Sequence, residues 1–600
     1  MQSVSSRVRR PFTFRVFVSI ANGNIITGTR LHRKADAHLR CRIFQAEIET
    51  MNKILATLVL LSITCSATAK TLVHNINGYT MNEGTKVRFV ALEFDRGRIT
   101  HLYETQQEIT SSEADTKIDG KGATLLPGLI DAHGHVGNHG LLLQSVNLIG
   151  STSEAQATQR VRSFIQQQPH QDWIQGRGWN QVLWPGKTLP THHALDALGP
   201  DRYILLKRVD GHAIWVNGAV LQKAGIDKNT PDPQGGQILR DAQGNATGVL
   251  IDNAIQLATD IIPSVEDAAM TRRLQRAMTD LASYGLTSVH GARTTAQYVR
   301  AYQALNSRQG MPIRIYGMLD MLDPDIDRYL EQGPLIDPEH MLDIRSVKIS
   351  ADGALGSRGA ALFEDYSDAP GHRGLLLLDD VQLEHHMSRA MQAGYQVNTH
   401  AIGDLTNDRV LDYYARLIKQ YDTRQLRHRI EHAQVLRPED IQRLAPMHVI
   451  ASIQPTHATS DMNMAGDRLG DERLAGAYAW KQLLDSGAHL AGGSDFPVES
   501  PNPFFGLHAA VSRQNHEGKP AGGWLPREKL SREAALSLFT EDAAYAAHQE
   551  KFLGRLLPGY YADFILVRDD YFSVPEADIW KNKVLATYVA GKQVYPSMEN

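Results

Sequence analysis

Two histidines one residue apart, His133 and His135, close an apolar run that begins at Leu125. Side chains on a β-strand alternate faces, so both imidazoles would point one way and Gly134 the other. Two neutral imidazoles side by side can bind one transition metal. A chance pair at a strand end is the alternative when the motif stands alone. Four more ligand-type residues follow apolar runs downstream: Lys348, His400, His432 and Asp495. Taken singly, His400 and His432 read equally well as core or surface histidines, and Asp495, after Gly-Gly-Ser, as a turn or helix-cap residue. Lys348 lies between Val347 and Ile349. Burial would lower its pKa and free a reactive amine, which could condense with carbon dioxide to a metal-bridging carbamate; a snorkelling or ion-paired lysine is the other reading. Their joint occurrence at strand ends describes a metal centre. The His/Asp/carbamate set suits zinc best, with manganese, iron or cobalt as alternatives.

Eight short apolar or β-branched runs would carry these residues: Leu125–Asp131, Leu286–His290, Ile313–Met318, Arg345–Ile349, Tyr395–Thr399, Arg427–Glu431, Val449–Ile453 and His489–Gly493. Segments of helical period precede most of them, at 269–284, 381–393, 407–419 and 474–485. Strands alternating with helices predict an α/β fold, a (β/α)8 TIM-like barrel over 125–552 with its site at the strand C-termini. The 150 residues between the first two runs are too many for a structureless loop and predict an inserted α/β subdomain, about 150–270, over the barrel mouth. Residues 71–124 and 553–597 are rich in strand and turn signals and predict one β-sandwich domain composed from both chain ends.

A net charge of −4 gives no basic field for nucleic acid, and 42% apolar content in 600 residues can bury a large core. Residues 51–69 read as a signal peptide: Lys53, the apolar stretch Ile54–Ile63, then Ala67-Thr68-Ala69. The stretch is too short for a stable membrane span, and the implied destination is periplasmic or secreted. Residues 1–50 read as upstream over-translation or an unstructured leader, with Met51 as the start. Both cysteines, Cys41 and Cys65, precede Lys70. Disulfides and Cys-based metal sites are thereby excluded from the exported chain. No signal for oligomeric state is visible.

The chain resembles the amidohydrolase superfamily, and most closely its family 3 branch, which includes N-substituted formamide deformylase-like proteins. The resemblance is carried by PGLIDAHGH (127–135), GRGWNQVLWPG (176–186), DGHAIWVN (210–217), VKISADGALGSRGA (347–360), NTHAIGD (398–404), HRIEHAQ (428–434), SIQPTHATSDM (452–462), GGSDFPVESPNPFFG (492–506) and GRLLPGYYADFILV (554–567). It implies one or two divalent metal ions, His133, His135 and Asp495 holding one and His400 and His432 the other, with Lys348 bridging if carbamylated. It also implies that the metal lowers the pKa of a bound water to about 7 and that Asp495 moves the proton from that water to the leaving nitrogen. The chain departs from the family pattern after His290, where it has Gly291-Ala292-Arg293.

Trp179, Trp184, His212, Trp215, His290 and His457 are candidates for the substrate pocket, although the aromatic residues read as readily as lid core. Arg358 could meet an anionic substrate group or form a surface ion pair. The expected activity is hydrolysis of a non-peptide carbon–nitrogen bond in a small molecule, such as an amide, an N-acyl amine or an N-formyl amine. A dipeptidase, an esterase or lactonase, and a catalytically silent periplasmic binding protein are the alternatives. N-terminal sequencing of exported protein is expected to find a mature chain starting near Lys70; retention of Arg9 or Arg10 would overturn the reading of the leader.

Overall fold

The computed structural model describes residues 70–596, apart from 200, 209–212, 234–235, 253 and 357. The expected leader, signal peptide and both cysteines lie outside the described residues, as does His212. Among the described residues, no helix is long and apolar enough to cross a membrane.

Eight strands form the barrel wall: β1 (Leu129–Gly134), β2 (Leu286–Thr294), β3 (Arg314–Asp320), β4 (Leu342–Ser350), β5 (Gln396–Ala401), β6 (Arg429–His432), β7 (Ile450–Ile453) and β8 (Leu490–Gly492). Each pairs in parallel with the next. The residues after β8 return to β1, where the Asp495 N–H donates to His133 O at 2.7 Å. Helices pack outside through one apolar face. Asp267–Ser283 buries Met270, Leu274, Ala277, Met278 and Leu281, a spacing that repeats with the helical turn. Asp380–Gln392 starts at a capping box between Asp379 and Gln382.

Three expectations shift. The first apolar run divides at Gly128, where a Cβ would lie 2.3 Å from Thr287 Oγ1. Thr124–Pro127 therefore belongs to the β-sandwich, and only Leu129 onward to the barrel. The strand expected to end at His290 runs on to Thr294, leaving His290 in mid-strand. The helix expected over 474–485 begins only at Trp480. Before it, Leu436 N–H donates to Gly476 O at 3.0 Å, and a Cβ at Gly476 would lie 1.8 Å from Leu436 O.

The insertion between β1 and β2 is a mixed six-stranded sheet, in the order Gly236–Arg240, Ala246–Asp252, Ala213–Val216, Tyr203–Arg208, Trp173–Trp179 and Val146–Asn147. A second six-stranded sheet takes Asn77–Asn82, Thr85–Phe89 and Thr124–Pro127 from the N-terminal side, and Phe564–Val567, Val584–Val589 and Lys592–Tyr595 from the C-terminal side. A four-stranded sheet of Thr71–His74, Ala91–Asp95, Arg98–Tyr103 and Thr116–Asp119 completes the sandwich. Its core includes Val73, Phe94, Leu125, Phe564 and Tyr588. A buried bidentate pair, Arg314 to Asp563 at 2.7 and 3.1 Å, fixes the sandwich to β3.

Candidate metal centre

At the C-terminal end of β1 the alternation places His133 and His135 toward the barrel axis, with Gly134 turned outward beneath Phe496. A Cβ on Gly134 would lie 2.1 Å from that ring, so glycine is needed between the two histidines. Gly493 is required for a similar reason: a Cβ there would lie 2.6 Å from His133 N. His432 and Asp495 reach the axis through left-handed backbone, with φ of 80° and 59°. Such conformations cost of order 1–3 kcal/mol each in non-glycine residues and concentrate at functional sites.

The histidines are oriented by their outer nitrogens. His133 Nδ1 lies 2.5 Å from Glu431 Oε2, His135 Nδ1 3.2 Å from Ala292 O, and His432 Nδ1 2.7 Å from Gln454 Oε1. A carbonyl oxygen can only accept, so His135 Nδ1 carries the proton and its Nε2 presents a lone pair. That lone pair faces Asp495 Oδ1 at 3.1 Å, and His133 Nε2 faces the same oxygen at 3.5 Å. Acceptors converging on one point call for a cation between them. One donor atom each from His133, His432 and Asp495 lies within 4.8 Å of the others. This trio crosses the two-metal division that the sequence resemblance implied, because the His133 and His432 rings lie tilted to each other with centroids only 5.0 Å apart. The His400 ring lies 4.5 Å from His432, and its buried Nε2 makes no hydrogen bond. A buried ring nitrogen without a hydrogen bond, 3.4 Å from Asp352 Oδ1, fits a bound metal.

Burial holds His133 in the neutral form, lowering its pKa to about 4, and also lowers His432. Lys348, on the inward face of β4, is buried with Nζ 3.3 Å from His133 Nε2. Burial lowers its pKa to about 8 against the opposing pull of Glu431 and Asp495. Burial thus shifts the amine toward the neutral form, the one that can add to carbon dioxide.

Four further residues that sequence reasoning did not single out support this arrangement. Burial pushes the Glu431 carboxyl up, but Arg429 and His133 together hold it well below the usual range. Arg429 reaches Glu431 at 2.8 Å, Ala132 O at 2.6 Å and Ser452 Oγ at 2.9 Å. Asp352 accepts backbone N–H groups from Ala361, Ile402 and Gly403, fixing the loop after β4 beside His400. Gln454 orients His432. The sequence signal for Arg429 and Glu431 was the one that identified Lys348: charged residues alternating on an apolar strand.

The centre forms the floor of a cavity of about 670 Å³ that also includes His457 and Arg293 in its lining. His457 has a buried Nε2 without a hydrogen bond, 3.9 Å from Asp495 Oδ2. The other pocket candidates lie elsewhere. Trp179, Trp184 and Trp215 pack on one another in the insertion, with centroids 6.1–6.3 Å apart. Their indole N–H groups donate to Leu206 O, Ser151 O and Thr191 O, so they form the core of the insertion. His290, in mid-strand, is fully buried below the centre beside Arg429 Nη1 at 3.0 Å and does not line the cavity. Arg358 forms a bidentate surface pair with Asp368 at 3.0 and 2.8 Å.

Eight parallel strands delivering His, Asp and Lys to one end define a hydrolase of metal-dependent architecture. The chain belongs to the amidohydrolase family, whose model matches residues 116–595. It is 35% identical to the putative amidohydrolase YtcJ of Bacillus subtilis (strain 168), over 86% of this chain and 98% of that protein. It is 27% identical to N-substituted formamide deformylase of Arthrobacter pascens, over 82% of this chain and 93% of that protein. A metal-dependent hydrolase of uncharacterised activity from Pyrococcus furiosus superposes with a TM-score of 0.70 at 26% identity, covering 84% of this chain and all of that one.

Glu431→Gln removes the charge that orients and polarises His133. Loss of such a partner weakens metal binding by about 10–100-fold, and competition against a fluorescent chelator is expected to show a loss of that size. Unchanged affinity would reduce Glu431 to a packing role.

Proposed function

We propose that the protein hydrolyses a non-peptide carbon–nitrogen bond, in an amide, N-acyl amine or N-formyl amine, with one or two divalent ions bound by His133, His135, His400, His432 and Asp495. The convergence of the His133 and His135 Nε2 atoms on Asp495 Oδ1, a buried oxygen without a hydrogen bond, carries this reading, and the similarity to the formamide deformylase supports the choice of bond. Zinc fits the nitrogen and oxygen donors best; when bound, such an ion acidifies water and polarises a carbonyl. The chain's own residues supply the rest. Asp495 accepts a proton from water and passes it to the departing nitrogen, which leaves poorly as an anion. His457 Nε2, unpartnered at the cavity wall, can donate to the substrate carbonyl oxygen as charge builds on it. The Lys348 amine can add to carbon dioxide, forming an N–C bond and losing one proton, and the resulting carbamate would bridge two ions. Export through the segment at 51–69 completes the proposal.

Asp495→Asn keeps an oxygen donor but cannot take a proton. It is expected to retain most of its metal while losing about 10²–10⁴-fold in amide turnover, with a smaller loss on an activated ester. A panel of N-formyl amines, N-acyl amino acids, dipeptides and lactones tests the bond class. Near-normal amide turnover in the fully metallated variant, or exclusive activity on dipeptides or lactones, would overturn the proposal.

Lys348→Ala is expected to hold fewer metal ions per chain than the wild type by elemental analysis, and a short carboxylic acid is expected to restore part of its activity. An unchanged metal content would exclude the bridging carbamate.

A further inference from the structure

Three of the large apolar side chains that the described residues expose most belong to one opening. Leu322, Leu377 and Val498 are 60%, 56% and 65% exposed, and all line the cavity above the metal centre. They come from three separate loops, following β3, β4 and β8, so no local sequence pattern accounts for their meeting. Each is held by its backbone: Leu322 N–H donates to Asp320 Oδ1 at 3.1 Å, Leu377 N–H to Ala351 O at 2.8 Å, and Val498 N–H to Asp495 O at 2.9 Å. Further in, buried Leu355 and Ile402 continue the apolar lining toward the histidines. Exposed apolar surface converging on one pocket marks a binding site more often than scattered leucines do.

His133, His432, Lys348 and Asp495 are buried at the floor, while the three exposed apolar side chains stand at the mouth; Arg293 and Glu499 also line the cavity. The guanidinium of Arg293 is turned to Asp320, 3.3 Å from its Nε. We infer that the substrate carries an extended apolar substituent, an alkyl or aryl group several carbons long, which lies against Leu322, Leu377 and Val498 while its reacting group reaches the metal centre. This rests on the hydrolase reading above for the head of the substrate. It adds the chemistry of the tail.

Binding tests the tail independently of which bond is cleaved. Straight-chain hydroxamic acids, from acetohydroxamic to decanohydroxamic, are titrated calorimetrically into zinc-loaded full-length protein. The hydroxamate head takes the metal centre and the chain runs outward. Burial of each methylene is expected to lower Kd by about fourfold until the chain clears the mouth. Leu377→Asn and Val498→Asn are expected to flatten that dependence and leave the Kd of acetohydroxamic acid unchanged.

A Kd independent of chain length, or a dependence that neither variant moves, would overturn the inference while leaving the hydrolase reading intact. Tighter binding of chains ending in a carboxylate would overturn it in favour of Arg293 as the tail's partner. Sedimentation showing that the variants split a dimer would make the rim an interface between copies instead. Failure of acetohydroxamic acid to bind would remove the metal centre and this inference together.

Discussion

The return of the last barrel strand to the first is the contact on which the rest of the site depends. Asp131 accepts the N–H of His133 at 3.0 Å, and the N–H and hydroxyl of Ser494 at 3.2 and 2.6 Å. One buried carboxylate thus locks together two segments 363 residues apart. Asp495 follows immediately and is drawn onto His133 and His135, in a backbone conformation it would not adopt unaided. Gly493 permits this approach, since any side chain there would strike His133. Burial raises the Asp131 pKa to about 7 against the pull of its Ser494 and His133 donors. A closed barrel and an assembled metal centre are therefore one structural event.

Beneath the histidines lies a second layer of buried charge. Arg429 and Glu431 sit on the inward face of β6, and each would be costly to bury alone. Together they satisfy each other, orient His133 and tie β6 to β1 through Ala132 O and to β7 through Ser452 Oγ. The centre is consequently preorganised: outer nitrogens are tied to fixed acceptors, and inner nitrogens are left to converge. His290 belongs to this supporting layer, and its mid-strand position explains why it faces Arg429 and not the cavity.

The insertion and the sandwich divide the remaining work. The three tryptophans give the insertion a core of its own, which lets a long excursion between β1 and β2 fold as a unit and not as a loose loop. The sandwich, bound through Arg314 and Asp563, takes up both ends of the described chain. Site chemistry is thereby confined to strand ends and the loops that follow them.

Much of this was legible in the sequence, because the physics involved is local. Strand period placed His133 and His135 on one face, apolar runs ending in His400, His432 and Asp495 marked strand ends, and an apolar flank on each side of Lys348 marked it as buried. The alternation of strands and helices implied the barrel. Residues whose role depends on partners far along the chain were not legible. Glu431 is read as a metal-site residue only when His133 stands 2.5 Å away, and Asp352 only when the backbone of 402–403 points at it. The tryptophans of the insertion read equally well as pocket or core, because an aromatic side chain in a one-dimensional pattern does not reveal which side of a sheet it covers. Leu322, Leu377 and Val498 carried no signal at all, since isolated apolar residues in loops are ordinary and acquire meaning only when three loops converge. The sequence by itself determined which residues could bind a metal and which elements would carry them. Tertiary structure alone decided how those residues combine, because closure of the barrel, not spacing along the chain, sets the distances between lone pairs.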